Sequence, residues 1–327
     1  MQSDRSASSS KDRSRTRAAA TPRWRAARAS IVAIVLSGLG LAAQSGYVPE
    51  RVFDTARGGF TDFEAMVFDL TRADVVLVGE QHDDPNTHRL EAAVLEGLLR
   101  RRIDVIVSLE MFERDVQDEL DHFSVGHMTE EEFLSSSRPW PRYRTDYKPL
   151  VDLAIAHGWP VIAANVPRAM ASEVSKGGFG VLDSKTEEER RWFAADRDCP
   201  TDDEYFRRFV EAMGSHPSGG SETDAAAAEA QARNYYYSQC LKDETMAESI
   251  ADAFSAAPAG ERRPVVVHFN GAFHSDFGLG TAARVKRRLA ERRTVVISVL
   301  PVENLDTVSP GEEDRRRADY LVYTRGR

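Results

Sequence analysis

Several motifs that would identify a function directly are missing from this 327-residue sequence. No serine stands in a G-x-S-x-G elbow, which excludes the usual serine-hydrolase route. The glycines of GFGVL (178–182) and FGLGTA (277–282) do not complete the G-x-G-x-x-G fingerprint, which excludes a Rossmann dinucleotide site. No internal repeat is found. Function must therefore be sought in the polar residues that surround the folded core.

The body of the chain also lacks an excess of positive charge. Residues 1–43 carry eight Lys or Arg and two Asp or Glu, so residues 44–327 hold 35 basic and 50 acidic side chains, a net charge of about −15. This balance argues against nucleic acid as a partner. Because 42% of the residues are hydrophobic, the chain can bury a sizeable core.

The N-terminal segment resembles a secretory signal. A basic stretch precedes the apolar run IVAIVLSGLGLAA (31–43), which is 13 residues long and too short to span a bilayer comfortably. We expect residues 1–43 to be a signal peptide and residues 44–327 to be one exported domain, periplasmic or extracellular. An uncleaved membrane anchor is the alternative. The region after Leu41 has no cysteine that could carry a lipid, so we do not expect an integral membrane protein after cleavage.

Cysteine is scarce, since only Cys199 and Cys240 occur. An even pair in an exported chain predicts one disulfide, with two buried thiols as the alternative. In the chain-entropy view, closing a loop of about 41 residues would contribute about 4 kcal/mol to stability.

Short apolar runs alternate with amphipathic segments along the chain. The runs are near-continuously hydrophobic, which is typical of strands buried on both faces of a parallel sheet. They are ADVVLVGE (73–80), DVIVSLEMF (104–112), PVIAANV (160–166), RPVVVHFNG (263–271) and TVVISVL (294–300). The segments between them have apolar residues at helical spacing. The pattern predicts an α/β fold with a mostly parallel central sheet flanked by helices.

Two regions depart from this alternation. Residues 183–258 contain no strand pattern and predict an α-helical insertion, interrupted at GSHPSGGSETD (214–224). Near the C-terminus, YLVYT (320–324) follows a polar loop and could return as an antiparallel edge strand.

Polar residues follow the ends of the predicted strands. In an open α/β sheet the ligand site lies beyond the carboxyl ends of the strands, so these residues are candidates for one pocket. They are Glu80 and His82 after the first run, Glu110 at the second, Asn165 and Arg168 after the third, and Asn270 and His274 after the fourth. Asp84 as N-cap and Pro85 as first helical residue would begin a helix that places His88 beside this edge.

Five segments of the sequence resemble the ChaN family in the same order. They are VVLVGEQHDDPNTHRL, SLEMFERDVQDELDHF, PVIAANVPR, SQCLKDETMAESIADAF and VVVHFNGAFHSDFGLG. ChaN proteins are an iron-regulated, haem-binding branch of the superfamily that includes the Tiki proteins, the TraB proteins and the erythromycin esterases. The resemblance covers about residues 50–325 and implies an exported α/β domain that binds haem at a subunit interface, hence a homodimer, with tyrosine as iron ligand.

The segment SRPWPRYRTDYKPL (137–150) is the best candidate for the haem site implied by this resemblance. It places Tyr143 and Tyr147, either of which could be the iron ligand, among the cations Arg144 and Lys148, which could meet the propionates. The alternative is a packed loop of aromatic residues with solvated basic side chains.

A hydrolase is the alternative function, because superfamily relatives resemble hydrolases that use the matching Glu and His residues. Glu80, His82, Glu110 and His274 could activate a water molecule, with or without a divalent metal such as zinc, manganese or cobalt of undetermined identity. Glu80, His82 and His274 would be the metal ligands, and Asp243 of the DETMA motif could line the pocket. A third interpretation is a purely structural hydrogen-bonded network that caps the sheet.

Overall fold

The apolar runs of the sequence form one eight-stranded sheet. The structure is a computed structural model, and it describes residues 49–101, 103–213, 222–257 and 263–326. The strands are β1 (Glu50–Asp54), β2 (Gly59–Thr61), β3 (Val75–Glu80), β4 (Val105–Glu113), β5 (Val161–Asn165), β6 (Val265–Gly271), β7 (Thr294–Val302) and β8 (Tyr320–Arg325). They lie in the order β2-β1-β8-β7-β3-β6-β4-β5. Strands β8 to β5 of this order are parallel, and β1 is antiparallel to β2 and β8. The predicted fold class is confirmed.

Helices cover both faces of the sheet. They are α1 (Phe63–Leu70), α2 (Pro85–Arg100), α3 (Gln117–Ser124), α4 (Glu130–Ser136), α5 (Tyr143–Asp146), α6 (Lys148–His157), α7 (Arg168–Gly177), α8 (Glu204–Ala212), α9 (Glu222–Ala256), α10 (Gly280–Arg288) and α11 (Glu312–Arg315). Successive strand residues point to opposite faces. Thus Val76 of β3 shares a hydrophobic cluster with Leu95 of α2, and Val75 shares another with Ile250 of α9. Burial on both faces explains the unbroken apolar runs.

The region predicted as a helical insertion, residues 183–258, contains α8 and α9 and has no strand in its described part. The carboxyl half of α9 lies on the sheet, where Ile250 and Phe254 belong to the same cluster as Val75. The region therefore supplies part of the layer that encloses the sheet as well as the surface helix α8.

The strand predicted at YLVYT forms as β8, but it is not an edge strand, and it is antiparallel to β1 and not to the central sheet. Strand β8 runs parallel to β7, with Tyr320 opposite Ile297, and it lies between β7 and β1. Strand β1, which the sequence pattern does not reveal, supplies the antiparallel pairing instead. Two of its five residues, Glu50 and Arg51, are polar and half-buried, so it lacks the apolar run of the central strands.

The predicted signal peptide, residues 1–43, lies outside the described residues. Within the described part of the chain, no helix combines the length and the apolar character needed to cross a bilayer. Export therefore stays a prediction from the sequence.

Candidate functional site

Three neighbouring strands deliver polar side chains to one edge of the sheet. Strand β3 ends at Glu80, which lies opposite Gly271 at the end of β6, and β4 on the other side of β6 carries Glu110. The Gly271 N–H donates to Glu110 Oε2 at 2.7 Å. His274 follows β6 in a short 3-10 turn, and its Nε2 is 3.3 Å from Glu110 Oε1. Parallel pairing thus brings distant parts of the chain to one rim.

His82 joins this group because position 271 is glycine. A Cβ at that position would stand 2.7 Å from His82 Nε2, so any other residue would displace the imidazole. The His82 Nδ1–H donates to Glu80 Oε1, and the ring packs edge-on to Trp140 with centroids 5.1 Å apart. The His82 side chain is 44% exposed, whereas Glu80 is buried. The structure therefore brings together four of the residues predicted for the strand ends, namely Glu80, His82, Glu110 and His274.

His274 is a buried cation held between two carboxylates. Its Nδ1–H donates to Asp243 Oδ1 at 2.7 Å, on the side of the ring opposite to Glu110. Burial alone would lower the pKa of His274, but Glu110 and Asp243 outweigh it and raise that pKa to about 10. Burial alone would raise the pKa of both carboxyl groups, but the charge of His274 outweighs it and lowers them. All three groups are therefore charged at neutral pH.

Asp243 is the centre of a further hydrogen-bond network. Its Oδ2 accepts from the Tyr205 hydroxyl at 2.6 Å, and its Oδ1 accepts from the Thr281 hydroxyl at 2.9 Å. Asp243 is fully buried, so it holds His274 from behind and does not line a cavity. Sequence reasoning missed Tyr205 and Thr281, which lie outside the strand ends.

The free energy of unfolding is expected to decline as the pH rises from 6.5 to about 10. The pKa of His274 is higher in the folded chain than its ordinary value of 6.5, so protonation stabilises the fold fully below that pH, and this contribution is lost as the pH approaches the folded pKa. Urea unfolding at about pH 6.5, 8 and 9.5 measures the decline. His274→Gln should flatten it, and a variant with the wild-type slope would contradict the assignment.

Glu80 has a second set of partners, on α2 and just before α6. Its Oε1 accepts from the Tyr147 hydroxyl at 2.9 Å, and its Oε2 lies 3.6 Å from His88 Nδ1, which is also 3.0 Å from Glu91 Oε2. Burial and the charge of Glu80 raise the pKa of Glu91 well above its usual value. Burial would also raise the pKa of Glu80, but hydrogen bonds with His82 and Glu91 outweigh it and lower that pKa. Glu91 therefore holds its proton more tightly than Glu80 does.

The amino end of α2 fixes the position of His88. The Asp84 side chain accepts from the N–H groups of Asn86 and Thr87, and Pro85 is the first helical residue, as predicted. His88 then lies in the first turn, and Glu91 follows three residues later on the same face of the helix. Sequence reasoning missed Glu91. Its spacing from His88 was the available signal.

The loop before α5 covers His82 and His88. Arg142 adopts a left-handed conformation with φ of 63°, and its guanidinium donates to the His82 carbonyl while Nε pairs with Asp146 Oδ2 at 2.8 Å. Asp146 Oδ2 in turn lies 3.5 Å from His88 Nε2. This loop therefore fixes the backbone at His82 as well as the far side of the His88 ring.

Two cavities share His82 and His274 as lining residues. The larger, of about 560 Å³, also contacts Glu80, Tyr205, Arg208, Phe273, Phe277 and Arg317. The smaller, of about 230 Å³, also contacts Glu110, Glu113, Trp140, Asn165, Arg168 and Lys242. Each of the four strand-end residues thus lines at least one hollow, so they do not lie in separate solid packing.

The remaining predicted pocket residues divide into two groups. Asn165 and Arg168 line the smaller cavity. Asn270, by contrast, is fully buried and lines neither cavity. Its side-chain amide donates to the Gly271 carbonyl at 2.8 Å and to Ser275 Oγ at 3.0 Å. Asn270 therefore shapes the turn after β6, which corrects its assignment to the pocket.

The structure does not group the predicted metal ligands Glu80, His82 and His274. In the cationic His274 both ring nitrogens carry a proton and face a carboxylate, so neither has a lone pair free to bind a metal. Among the described residues, the Glu, Asp, His and Cys group whose donor atoms all lie within 4.8 Å of one another is Glu80, His88 and Glu91.

The predicted disulfide is confirmed, because Cys199 and Cys240 are bonded, with Cα atoms 6.0 Å apart. The bond ties the segment before α8 to α9. It lies next to the network around Asp243, since the Arg284 guanidinium is 5.4 Å from the Tyr205 ring and its Nη2 is 3.0 Å from the Cys240 sulfur. The alternative of two buried thiols is wrong.

A family model described as haem-binding uptake, Tiki superfamily, ChaN matches residues 66–285. The chain belongs to this family. No curated protein sequence matches it significantly. The family-model match covers two thirds of the chain and confirms the predicted family.

One solved structure shows the same fold, and two others are similar over most of the chain at lower TM-scores. ChaN of Campylobacter jejuni, whose structure describes cofacial heme binding, is 19% identical, with a TM-score of 0.60 over 85% of this chain and 97% of that chain. A Bacillus cereus protein is 11% identical, with a TM-score of 0.43 over 79% of this chain and 90% of that chain. A mutant of the erythromycin esterase EreC, in its open conformation, is 12% identical, with a TM-score of 0.41 over 80% of this chain and 78% of that chain. At 19% identity, the similarity to ChaN of Campylobacter jejuni shows the fold of this chain and nothing further.

The tyrosines predicted as haem ligands lie in the core of this ChaN-family chain. Tyr147 is 2% exposed and donates to Glu80, and Tyr143 is 4% exposed and packs against Phe112 and Phe133. Burial and nearby carboxylates raise the pKa of both hydroxyls, which disfavours a phenolate. Neither tyrosine therefore presents an iron ligand to a haem outside the core.

The predicted propionate partners are engaged elsewhere. Arg144 pairs with Glu130 at 2.5 Å, and Lys148 pairs with Asp152 at 2.6 Å and lies 3.6 Å from Glu130. Both cations already have carboxylate partners on the helices that flank them. The segment 137–150 is thus a packed loop and helix, which is the alternative that the sequence left open.

Proposed function

We propose that this protein binds haem in an exported compartment, on the outer face of α8 and α9, with Tyr235 as the iron ligand. Membership of the haem-binding ChaN family supports the ligand class. The exposure of Tyr235 supports the location, because this side chain is 42% exposed whereas six other tyrosines of the described residues are buried. Tyr237 is half-buried and stacks on Phe179 with centroids 4.7 Å apart.

Helix α8, which packs against α9, carries exposed side chains of the kinds that haem requires. Arg207 and Val210 of α8 and Met213, which caps its carboxyl end, recur every three residues and so lie on one side of the helix, and all three are exposed. Val210 and Met213 are exposed by 39% and 46%, and they are among the few large apolar side chains in the described residues that face solvent. We call this set, Arg207, Val210, Met213 and Tyr235, the α8–α9 face.

The two helices of this face are held together by buried aromatic packing. Tyr236 of α9 is buried and contacts the rings of Phe206 and Phe209 of α8, with centroids 4.9 and 5.7 Å apart. Tyr235 is the next residue on α9, so its position relative to α8 is fixed by its neighbour. A ligand on a rigid pair of helices is better oriented than one on a loop.

These side chains match the three needs of haem, which are an apolar surface, an iron ligand and cations for the propionates. The phenolate oxygen of Tyr235 would bind ferric iron, Val210 and Met213 would contact the porphyrin, and Arg207 would pair with a propionate. Haem itself would supply the iron centre and its absorption. The chain's own residues would select the ligand by matching apolar to apolar and charge to charge.

A second copy of the chain would complete the site. An open face contacts one side of a flat ligand and leaves the other side in water, so a symmetric pair of α8–α9 faces would bury the haem more fully. The ChaN structure from Campylobacter jejuni describes cofacial heme binding, which is consistent with such an arrangement. We therefore include a haem-linked homodimer in the proposal.

Export is supported by two features of the chain. Residues 1–43 have the composition of a secretory signal, and the Cys199–Cys240 disulfide is typical of proteins from oxidising compartments. The periplasm or the extracellular space is therefore the expected location.

The hydrolase alternative is less well supported by the site. His274 is protonated between two carboxylates, so it has no free nitrogen with which to accept a proton from water. The strand-end cluster is better described as a charged network beside a cavity than as a water-activating pair.

Tyr235→Phe is expected to weaken ferric haem binding at least about 10-fold and to shift the Soret band, because it removes the oxygen ligand and keeps the ring. Titration of haem into the purified protein, followed by absorbance, measures both effects. Tyr143→Phe and Tyr237→Phe are matched controls that should bind as the wild type does. The absence of a saturable Soret change in the wild type would exclude haem binding, and normal binding by Tyr235→Phe would place the ligand elsewhere.

A further inference from the structure

We propose that Glu80, His88 and Glu91 form a binding site for one divalent transition-metal ion, separate from the haem face. The site joins the end of strand β3 to the first two turns of helix α2. His88 and Glu91 are three residues apart on one helix face, and Glu80 reaches them from the strand. None of the three belongs to the α8–α9 face, so the inference does not depend on haem binding.

The donor atoms are spaced as a metal would space them. His88 Nδ1 is 3.0 Å from Glu91 Oε2 and 3.6 Å from Glu80 Oε2, and one donor of each residue lies within 4.8 Å of the others. Ligands at about 2.1 Å from one ion are about 3.0 Å apart in octahedral and about 3.4 Å apart in tetrahedral geometry. The three side chains therefore need only small movements to share an ion.

Two buried oxygens at this site accept no hydrogen bond from an N–H or hydroxyl group. They are Glu80 Oε2 and Glu91 Oε1, and both side chains are at most 1% exposed. Buried polar atoms are almost always satisfied, so without a metal these two carboxyl groups depend on the proton of Glu91, which is hydrogen-bonded to Glu80. A cation between the carboxyl groups would replace this proton and satisfy both oxygens.

The surroundings hold the ligands in orientations suited to a metal. His88 Nε2 lies 3.2 Å from the His82 carbonyl oxygen, and donation to that carbonyl leaves the Nδ1 lone pair directed at the two carboxyl groups. Histidine ligands typically donate their other ring nitrogen in this way. The second oxygen of Glu80 accepts hydrogen bonds from Tyr147 and His82, which fixes the carboxylate plane.

An ion could reach the site from the larger cavity, which Glu80 and His82 line. Two carboxylates and one imidazole are hard to borderline donors, which suit Mn²⁺, Fe²⁺, Co²⁺ or Zn²⁺ better than soft ions such as Cu⁺. Three protein ligands would leave at least one coordination position for water or for a ligand in the cavity.

The test uses Co²⁺ and Mn²⁺ with the purified, tag-free protein. We expect one equivalent of Co²⁺ per chain, with visible d–d bands, and binding weaker by about 100-fold or more in Glu91→Gln and His88→Gln. The matched control replaces two exposed histidines whose rings lie 6.3 Å apart, His122→Asn with His127→Asn, and should bind as the wild type does. Circular dichroism checks that each variant folds.

A second measurement on the wild type covers the case in which the ligand variants do not fold. Mn²⁺ should broaden the amide resonances of residues 80–92 first and leave those around His122 sharp. The proposal is overturned if the wild type binds no stoichiometric Co²⁺ or Mn²⁺, if folded Glu91→Gln and His88→Gln bind normally, or if the broadening centres elsewhere.

Discussion

Asp243→Asn is expected to lower the free energy of unfolding by about 3–5 kcal/mol, the range observed when one partner of a buried ion pair is removed. Asp243 is fully buried and accepts hydrogen bonds from His274, Tyr205 and Thr281. An asparagine has the same shape but one oxygen, so its NH₂ group would face at least one of these donors. The variant would also leave His274 with Glu110 as its one adjacent carboxylate.

Chemical denaturation of the two proteins at neutral pH measures this difference. Asp252→Asn is the matched control, because Asp252 is an exposed carboxylate on the same helix and its loss should change stability by less than about 0.5 kcal/mol. Equal stability of Asp243→Asn and the wild type would show that His274 is not held as a buried cation.

Removal of the disulfide has the second largest expected effect. The bond between Cys199 and Cys240 spans a sequence separation of 41 residues, and Cys199→Ala with Cys240→Ala should lower the free energy of unfolding by about 4 kcal/mol. The reason is that the unfolded chain without the bond gains conformational freedom. The segment before α8 would also lose its covalent tie to α9.

Unfolding with and without a reductant measures the effect. Reduction should destabilise the wild type and leave the double alanine variant unchanged, which separates the bond from other effects of the reductant. Under denaturing, non-reducing conditions no free thiol should be titrated, and two free thiols would contradict the bonded state.

The meeting of the strand-end residues was predictable because it follows from topology. Glu80, Glu110 and His274 end or follow parallel strands, and parallel strands bring their carboxyl ends to one edge whatever the strand order. The start of α2 was predictable for a local reason, since Asp84 and Pro85 suit the N-cap and first helical positions.

The assignment of Tyr143 and Tyr147 failed because composition does not reveal which way a ring points. An aromatic and basic segment has the same sequence whether it binds a ligand or packs inward, and here both rings pack inward. Glu91 was missed because one of the groups that stabilise it lies outside its own helix. A carboxyl group at a buried helical position is costly, and although its partner His88 lies one turn away on the same helix, its partner Glu80 comes from tertiary contact.

The sequence by itself determined the five central strands β3 to β7, the helical character of residues 183–258, the disulfide partners and the edge at which the polar residues collect, because periodicity, capping and chain order are encoded locally. Tertiary structure alone decided the antiparallel place of β1, the charge state of His274, the inward packing of the tyrosines and the exposure of Tyr235. Each of these depends on neighbours that are far apart in the chain, and burial and charge act through space.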